Sequence, residues 1–469
     1  MNRAARTAAA ALVLGAALLV ELPLSGQSVS DPYFSSKGSW GQKMDDQWAL
    51  KRVKIPEAWG MLGKSPQPVV VAVVDTGLDW NHLDLSWDSI WVNPGEIPEN
   101  GKDDDENGFV DDKIGWDFFA NSNAPWDYDG HGTFVTGLIA AQTNNGIGIA
   151  GANPYARIMV VKAVNNFGNT RAFTLARGIK YAVDNGAKII NLSVGGSEFT
   201  DVEKSALDYA EAHGVLVVAA AGNEAQEVKD YAPASYPTVL TVGSTDASDD
   251  RANFSNWGSR IDLVAPGTDI LSLRARRTDT MLNISESYRP DQNFVGADRR
   301  YYWSSGTSFS APLVTAAASL LLSKDPKLTA RDLRRLLEYG ARDVDVPGVD
   351  RYTGYGLLDA AASLSADPRS YIVAHIAGIS SGQAGGSPAA LVKGSADAYK
   401  MRSAVIELGQ GEDPAKWQKV GDVKGPVEDG QLATVPATAF AGGGTWTLRL
   451  IVTDSTGKSR ESRFQVKLS

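Results

Sequence analysis

The stretch Val69-Val70-Val71-Ala72-Val73-Val74-Asp75-Thr76-Gly77 decides the fold. Its first six residues are apolar, with no polar partner on alternate positions. A strand of that kind is covered on both faces, as in a parallel sheet between helices. The run ends on Asp75 and then a turn through Gly77. The carboxyl edge of such a sheet is where α/β folds place their sites, so Asp75 is a candidate functional residue from the outset.

Five more runs read the same way: Ile158–Val164, Lys188–Ser193, Val215–Ala221, Val239–Gly243 and Ile261–Val264. Between them the spacing predicts helices over 133–142, 172–185, 201–213, 308–323 and 329–339. Alternating strands and helices imply a three-layer α/β domain with a central parallel sheet, expected over 29–366. From about Tyr371 the texture changes. Trp446–Val452 and Ser462–Lys467 alternate with a period of two between Gly, Ser and Asp turns, which predicts an all-β sandwich over 371–469. Ser363–Ser370 is the junction, and Gly382–Gly386 reads as a short flexible loop.

At the other end, Arg3 and Arg6 precede the apolar run Ala8–Val20. That run is shorter than the ~20 residues a spanning helix needs. A basic start, a short apolar core and small polar residues predict a signal peptide over 1–28, hence export and no membrane attachment once it is removed. The 469-residue chain carries a net charge of −10, which gives no electrostatic reason to bind nucleic acid. It has no cysteine, so disulfides, thiolate metal sites and a thiol nucleophile are excluded. Four histidines without cysteine also argue against a zinc enzyme.

Three further segments complement Asp75. Asp129-Gly130-His131-Gly132-Thr133 places a His at a helix start between glycines that allow close approach. Ser305-Gly306-Thr307-Ser308-Phe309-Ser310-Ala311-Pro312 sets Ser308 at the N-terminus of an apolar helix, with Pro312 expected near its first turn. Val217–Asn223 is an apolar run ending in Gly222-Asn223, where a side-chain amide can donate to an oxyanion. Each segment alone also reads as an ordinary turn. Together they supply a nucleophile, a base and a carboxylate to orient that base, in the chain order Asp, His, Ser.

These four segments resemble those of the subtilisin-like serine peptidases. Ile190–Gly196, Val264-Ala265-Pro266-Gly267 and Gly354–Ala360 resemble the family as well, and Asp31–Ser36 with Ile55–Trp59 resembles the entry to its thermitase-like branch. The resemblance implies peptide-bond hydrolysis of polypeptide substrates through an acyl-enzyme, with Ser308 as nucleophile, His131 as base, Asp75 orienting it and Asn223 at the oxyanion. It also implies that Ser193, Val194, Gly195 and Gly196 pair with the substrate backbone. Ala220, Ala221 and Gly222 then wall the pocket for the residue before the cut. Broad specificity is the expectation, since backbone pairing reads little sequence. Three departures stand out. Phe134 replaces the usual second His, and Thr136 a small Ala. The stretch between Leu271 and Tyr302, with Arg274, Arg276, Arg277, Arg299 and Arg300, is longer than in minimal members and reads as a solvated surface loop, the alternative being a part of the substrate cleft or a partner contact. The short interval before Asp31 leaves no room for the folding propeptide of many secreted relatives, so folding unaided or with an inhibitor supplied separately is expected.

Calcium is the expected structural ion. In Asp103-Asp104-Asp105-Glu106-Asn107-Gly108-Phe109-Val110-Asp111-Asp112, acids or amides fall at positions one, three, five and nine, with Gly at six. Position twelve is Ile114, so this is not an EF-hand. The candidate ligands are Asp103, Asp105, Asn107, Asp111 and Asp112. The family resemblance implies a second set, Asp84 and Asn145 joined by Asp31. No cofactor is expected for catalysis, and the sequence names no partner for the β-sandwich.

Overall fold

A computed structural model of the chain describes residues 29–276, 278, 293–440 and 443–468. The expected signal segment and Arg277 lie outside them. Among the described residues no helix is long and apolar enough to cross a membrane.

Seven parallel strands form the central sheet: β1 (Val69–Asp75), β2 (Gly115–Asp117), β3 (Ala156–Lys162), β4 (Ile189–Leu192), β5 (Leu216–Ala220), β6 (Val239–Thr245) and β7 (Leu263–Pro266). Their order across the sheet is β2-β3-β1-β4-β5-β6-β7. After three short helices, α1 (Pro32–Ser35), α2 (Trp48–Arg52) and α3 (Ile55–Trp59), come α4 (His131–Ala140), α5 (Ala172–Asp184) and α6 (Asp201–Ala212). Then follow α7 (Thr307–Lys324), α8 (Ala330–Gly340) and α9 (Ala360–Ser365). The reading of β1 as covered on both faces holds residue by residue. Val69, Val71 and Val73 pack in the core that contains α4 and α7, whereas Ala72 and Val74 pack in the core that contains α5 and α6. Alternate side chains of one strand thus enter two separate cores.

The order reverses beside β1. The chain leaves β1 to the β3 side and then returns to β4 on its other side. At that switch point the loops at the carboxyl ends splay apart and leave a crevice. Asp75 ends β1 at its rim, and α4 and α7 begin there.

Two expectations need correction. The stretch after Leu271 is not simply a solvated loop. Its described parts form an antiparallel sheet of β8 (Ile270–Leu273), β10 (Tyr301–Ser304) and β9 (Phe294–Val295). This sheet packs on α4: Ser272 Oγ donates to the Phe134 carbonyl at 2.7 Å, and a Cβ on Gly137 would sit 2.5 Å from Ser272 Oγ. Pro312 is also not in the first turn, because α7 already starts at Thr307. Its missing N–H leaves the Ser308 carbonyl without a helical donor. The Ser193 hydroxyl replaces it, donating to that carbonyl at 2.9 Å.

The C-terminal region has two antiparallel sheets, one of β11 (Ile372–Ala384), β12 (Ser387–Ala398) and β15 (Val427–Pro436). The other contains β14 (Gln418–Asp422), β13 (Met401–Gln410), β16 (Gly444–Asp454) and β17 (Ser459–Leu468). Ile376, Val392, Ile406, Leu408, Leu448 and Leu450 fill the space between them. The expected loop Gly382–Gly386 is shorter than read. Gly382 belongs to β11, and only Gly385 and Gly386, both at positive φ, make the hairpin turn. This module is fastened to the α/β body through β17. The buried Arg460 guanidinium donates to the carbonyls of Glu338 (2.7 Å), Ala341 (2.6 Å) and Tyr355 (2.9 Å). Two of those carbonyls belong to the open C-terminal end of α8, which favours a cation. Lys458 Nζ adds a hydrogen bond to the Tyr339 carbonyl.

Candidate active site

Asp75 and His131 meet at the crevice. His131 Nδ1 lies 2.7 Å from Asp75 Oδ1 and 2.9 Å from Oδ2, and both residues are buried. Burial opposes protonation of the ring, but the Asp75 charge and hydrogen bond outweigh it, and the His131 pKa is raised above 6.5. A carboxylate on Nδ1 fixes the tautomer and leaves Nε2 as the acceptor. The approach needs Gly132, since a Cβ there would run into the Gly77 carbonyl.

A buried carboxylate that the sequence reading did not single out holds this corner. Asp127 Oδ1 accepts from Thr76 Oγ1 (2.9 Å), Asp129 N (3.0 Å) and Gly130 N (2.8 Å). Its Oδ2 accepts from Thr133 N (2.9 Å) and Thr133 Oγ1 (2.7 Å). It therefore caps the first turn of α4 and ties that turn to the residue after Asp75. Lys162, the last residue of β3 and buried, balances the local negative charge. Its Nζ donates to Thr76 O (2.7 Å), Trp126 O (2.9 Å) and Asn166 Oδ1 (2.7 Å). Burial lowers its pKa. The sequence signal was there, since a Lys follows the apolar run Ile158–Val161. Asp129 is crowded instead: burial, and then the Asp127 charge, push its carboxyl up to about 7.

Ser308 is the second residue of α7, and its Oγ donates to the Ser193 carbonyl at 3.2 Å. Asn191 Nδ2 bonds Ser193 Oγ at 2.9 Å, and Thr315 Oγ1 bonds Asn191 Oδ1 at 2.9 Å, so the end of β4 is stitched to α7. Phe134 occupies the space between α4 and α7, with its ring centroid 4.2 Å from that of Phe309. Asn223 follows β5, and its Oδ1 accepts from Thr307 N (2.8 Å) and Thr307 Oγ1 (2.9 Å). Those two donors fix which end of the amide is oxygen and leave Nδ2 free among the described residues. Ala220, Ala221 and Gly222 are buried beside it, with Gly222 N donating to Thr307 Oγ1 at 3.1 Å. Of the expected substrate edge, Gly196 spends its N–H and its carbonyl on Ala232, both at 2.8 Å. Of the rest of that expected edge, the Ser193 carbonyl accepts from Ser308 Oγ, and Gly195 packs against Tyr231.

The model of the subtilase family matches residues 67–356. The chain belongs to the subtilase family. It is 34% identical over 331 residues to thermitase of Thermoactinomyces vulgaris, covering 71% of this chain and 97% of that protein. It is 35% identical over 304 residues to a thermophilic serine proteinase of Bacillus sp. strain AK1, covering 65% and 63%. It is also 34% identical over 355 residues to the cell wall-associated protease of Bacillus subtilis, covering 68% and 35%. This subtilase is a serine-type endopeptidase.

The carboxylate-rich loop of this subtilase gathers differently from its spacing. One oxygen each of Glu96, Asp105 and Asp112 lie within 4.8 Å of one another. Asn107 Nδ2 reaches both Asp105 (3.1 Å) and Asp112 (3.2 Å). Asp103 and Asp111 are turned to the loop's own backbone: Asp103 accepts from Asn107 N and Gly108 N, Asp111 from Asn100 N and Gly101 N. Glu96 escaped the sequence reading because it lies seven residues before the acidic stretch Asp103–Asp112. Burial, despite three side-chain donors, pushes Asp112 up to about 6. Three converging carboxylates, one of them fully buried, fit a hard cation. The second set also comes together, but as a hydrogen-bonded cluster. Asp84 accepts from Asn145 Nδ2 (2.7 Å), Ile149 N (2.8 Å) and the Tyr301 hydroxyl. Asp31 accepts from Asn144 N (2.7 Å) and Asn145 N (3.1 Å). Donors meet the oxygens of both sets, and what singles out Glu96, Asp105 and Asp112 is the convergence of one oxygen from each within 4.8 Å.

Proposed function

We propose that this subtilase is an exported endopeptidase of broad specificity, stabilised by calcium, with Asp75, His131 and Ser308 as its triad. The observation that carries the reading is the buried pair His131–Asp75 facing the start of α7, where Ser308 and the Asn223 amide stand together. Ser308 Oγ leaves the Ser193 carbonyl for His131 Nε2 and attacks the scissile carbonyl carbon. The proton passes to Nε2, and Asp75 stabilises the imidazolium. Asn223 Nδ2 and the Ser308 N–H, at the positive end of α7, receive the developing oxyanion. His131 then returns the proton to the leaving amine. Water repeats the sequence on the acyl-enzyme.

An extended substrate pairs along Ser193–Gly195 through backbone groups, which supports breadth. Calcium held by Glu96, Asp105 and Asp112, with Asn107 beside them, supplies the positive charge these carboxylates lack. Domains spanning 29–366 and 371–469, preceded by a signal peptide over 1–28, complete the proposal. The test is labelling by a fluorophosphonate with calcium supplied, wild type against Ser308→Ala. Labelling of wild type alone is expected. Absence of both labelling and hydrolysis of denatured protein overturns the reading.

A further inference from the structure

The pocket proposed for the residue before the cut lies between two backbone walls, Ser193–Gly195 and Ala220–Gly222. Glycine at the end of each wall normally leaves that space open to a substrate side chain. Here one ring fills it. A Cβ built on Gly195 would lie 3.0 Å from Tyr231 Cζ, and one built on Gly222 would lie 2.8 Å from the same atom. Tyr231 Cε1 is closer still to the Gly195 position. The phenol therefore spans the gap from one wall to the other.

The ring is held there by its backbone. Tyr231 N donates to the Val228 carbonyl at 3.0 Å, and the next residue, Ala232, makes the two-way bridge to Gly196. The following Tyr231-facing group is Glu224, but its Oε2 is spent on Asn223 N (2.8 Å) and Asn256 Nδ2 (2.9 Å). The ring is thus a fixed part of the walls rather than a side chain lying across an open cleft.

We infer that Tyr231 is a specificity-determining residue: it forms a shallow floor to this pocket and restricts the residue before the scissile bond to small side chains such as Ala, Ser or Gly. This rests on the site reading above and narrows the proposed breadth at one substrate position. A pocket shortened by a ring discriminates by exclusion, because a large side chain cannot enter without displacing packed atoms.

The experiment uses four-residue peptide p-nitroanilides that differ only in the last residue: Ala, Ser, Leu, Phe or Arg. For wild type, kcat/KM with Ala should exceed that with Phe by about tenfold or more, the scale on which apolar pockets discriminate. Tyr231→Gly should raise the Phe value by about tenfold and leave Ala within about threefold. Tyr231→Phe should keep the wild-type ranking, because the ring and not the hydroxyl fills the gap. Equal rates on Ala and Phe by wild type overturn the inference, as does an unchanged ranking in a Tyr231→Gly protein that still labels with fluorophosphonate. Should Tyr231→Gly fail to fold, the wild-type ranking decides alone. Failure of the active-site reading is distinct, since it shows as wild type that does not label at all.

Discussion

The α/β body and the C-terminal β-module use their polar residues in opposite ways. In the body, β1 is buried on both faces, so polar groups are driven to one edge of the sheet. Asp75, Asp127, Lys162 and His131 gather there, buried and hydrogen-bonded to one another's segments. In the module β11, β13 and β16 bury alternate residues such as Ala374 and Ile376, Ile406 and Leu408, and Leu448 and Leu450, and polar residues lie between them. Its buried cation, Arg460, points out of the module and into the body. One region concentrates polarity at the proposed catalytic site, and the other spends it on attachment. Doubly covered sheets leave a single edge for function, whereas half-covered sheets leave whole faces.

Substitutions can break this division. Asp75→Asn should have the largest effect, lowering kcat by about 10⁴-fold, the scale known for loss of a triad carboxylate. The fold should survive, as judged by circular dichroism. The pH profile supplies a second readout. His131 must be neutral to take a proton, and its pKa is raised above 6.5, so the acid limb of kcat/KM should lie above pH 6.5. Without the Asp75 charge that limb should move to lower pH. A limb that stays in place would show that Asp75 does not govern the base.

Asn223→Ala should cost about 2.7–4 kcal/mol of transition-state stabilisation, read as a fall in kcat with little change in KM. Arg460→Ala tests the other side of the comparison. It leaves the carbonyls of Glu338, Ala341 and Tyr355 without their donor, at about 1–3 kcal/mol for a buried group left unsatisfied. Denaturant unfolding should show a loss of about 3 kcal/mol with kcat unchanged. Lost activity at full stability would mean the module takes part in the chemistry. The smallest effect expected is that of chelator. Removing calcium should lower the unfolding midpoint, corresponding to a stability loss of about 2.7 kcal/mol relative to calcium at a hundredfold its Kd. Asp112→Asn should abolish the difference between calcium and chelator.

Much of the body was legible because its signals are local. Apolar runs such as Val239–Gly243 and helical spacings such as 201–213 fall within a few residues of the observed elements. The resemblance rested on segments whose residues act where they stand in the chain. What escaped was assembled over distance. β2 has three residues and exists only because Gly115–Asp117 lies beside β3. Glu96 reaches its cluster from outside the acidic stretch. Tyr231 gains its place from two glycines that stand 36 and 9 positions earlier in the chain. Pro312 was read as lying near the first turn, and the start of α7 at Thr307, one residue before the expected 308, places it in the second turn.

The fastening of β17 to α8 has a consequence for the lifetime of the protein. An endopeptidase in solution meets other copies of itself as readily as any substrate, and the chain between two folded units is the usual place for a cut. Here that chain is only the interval between Ser365, the end of α9, and Ile372, the start of β11. It is further folded on itself, with Ser370 N bonded to the Asp367 carbonyl at 2.8 Å. A cleft that takes an extended peptide needs several free residues on each side of the bond. This interval can supply them only by unravelling α9 or peeling β11, and Arg460 holds the two units together while it does neither. With the extended-peptide binding proposed above, the joint is a poor substrate for its own enzyme.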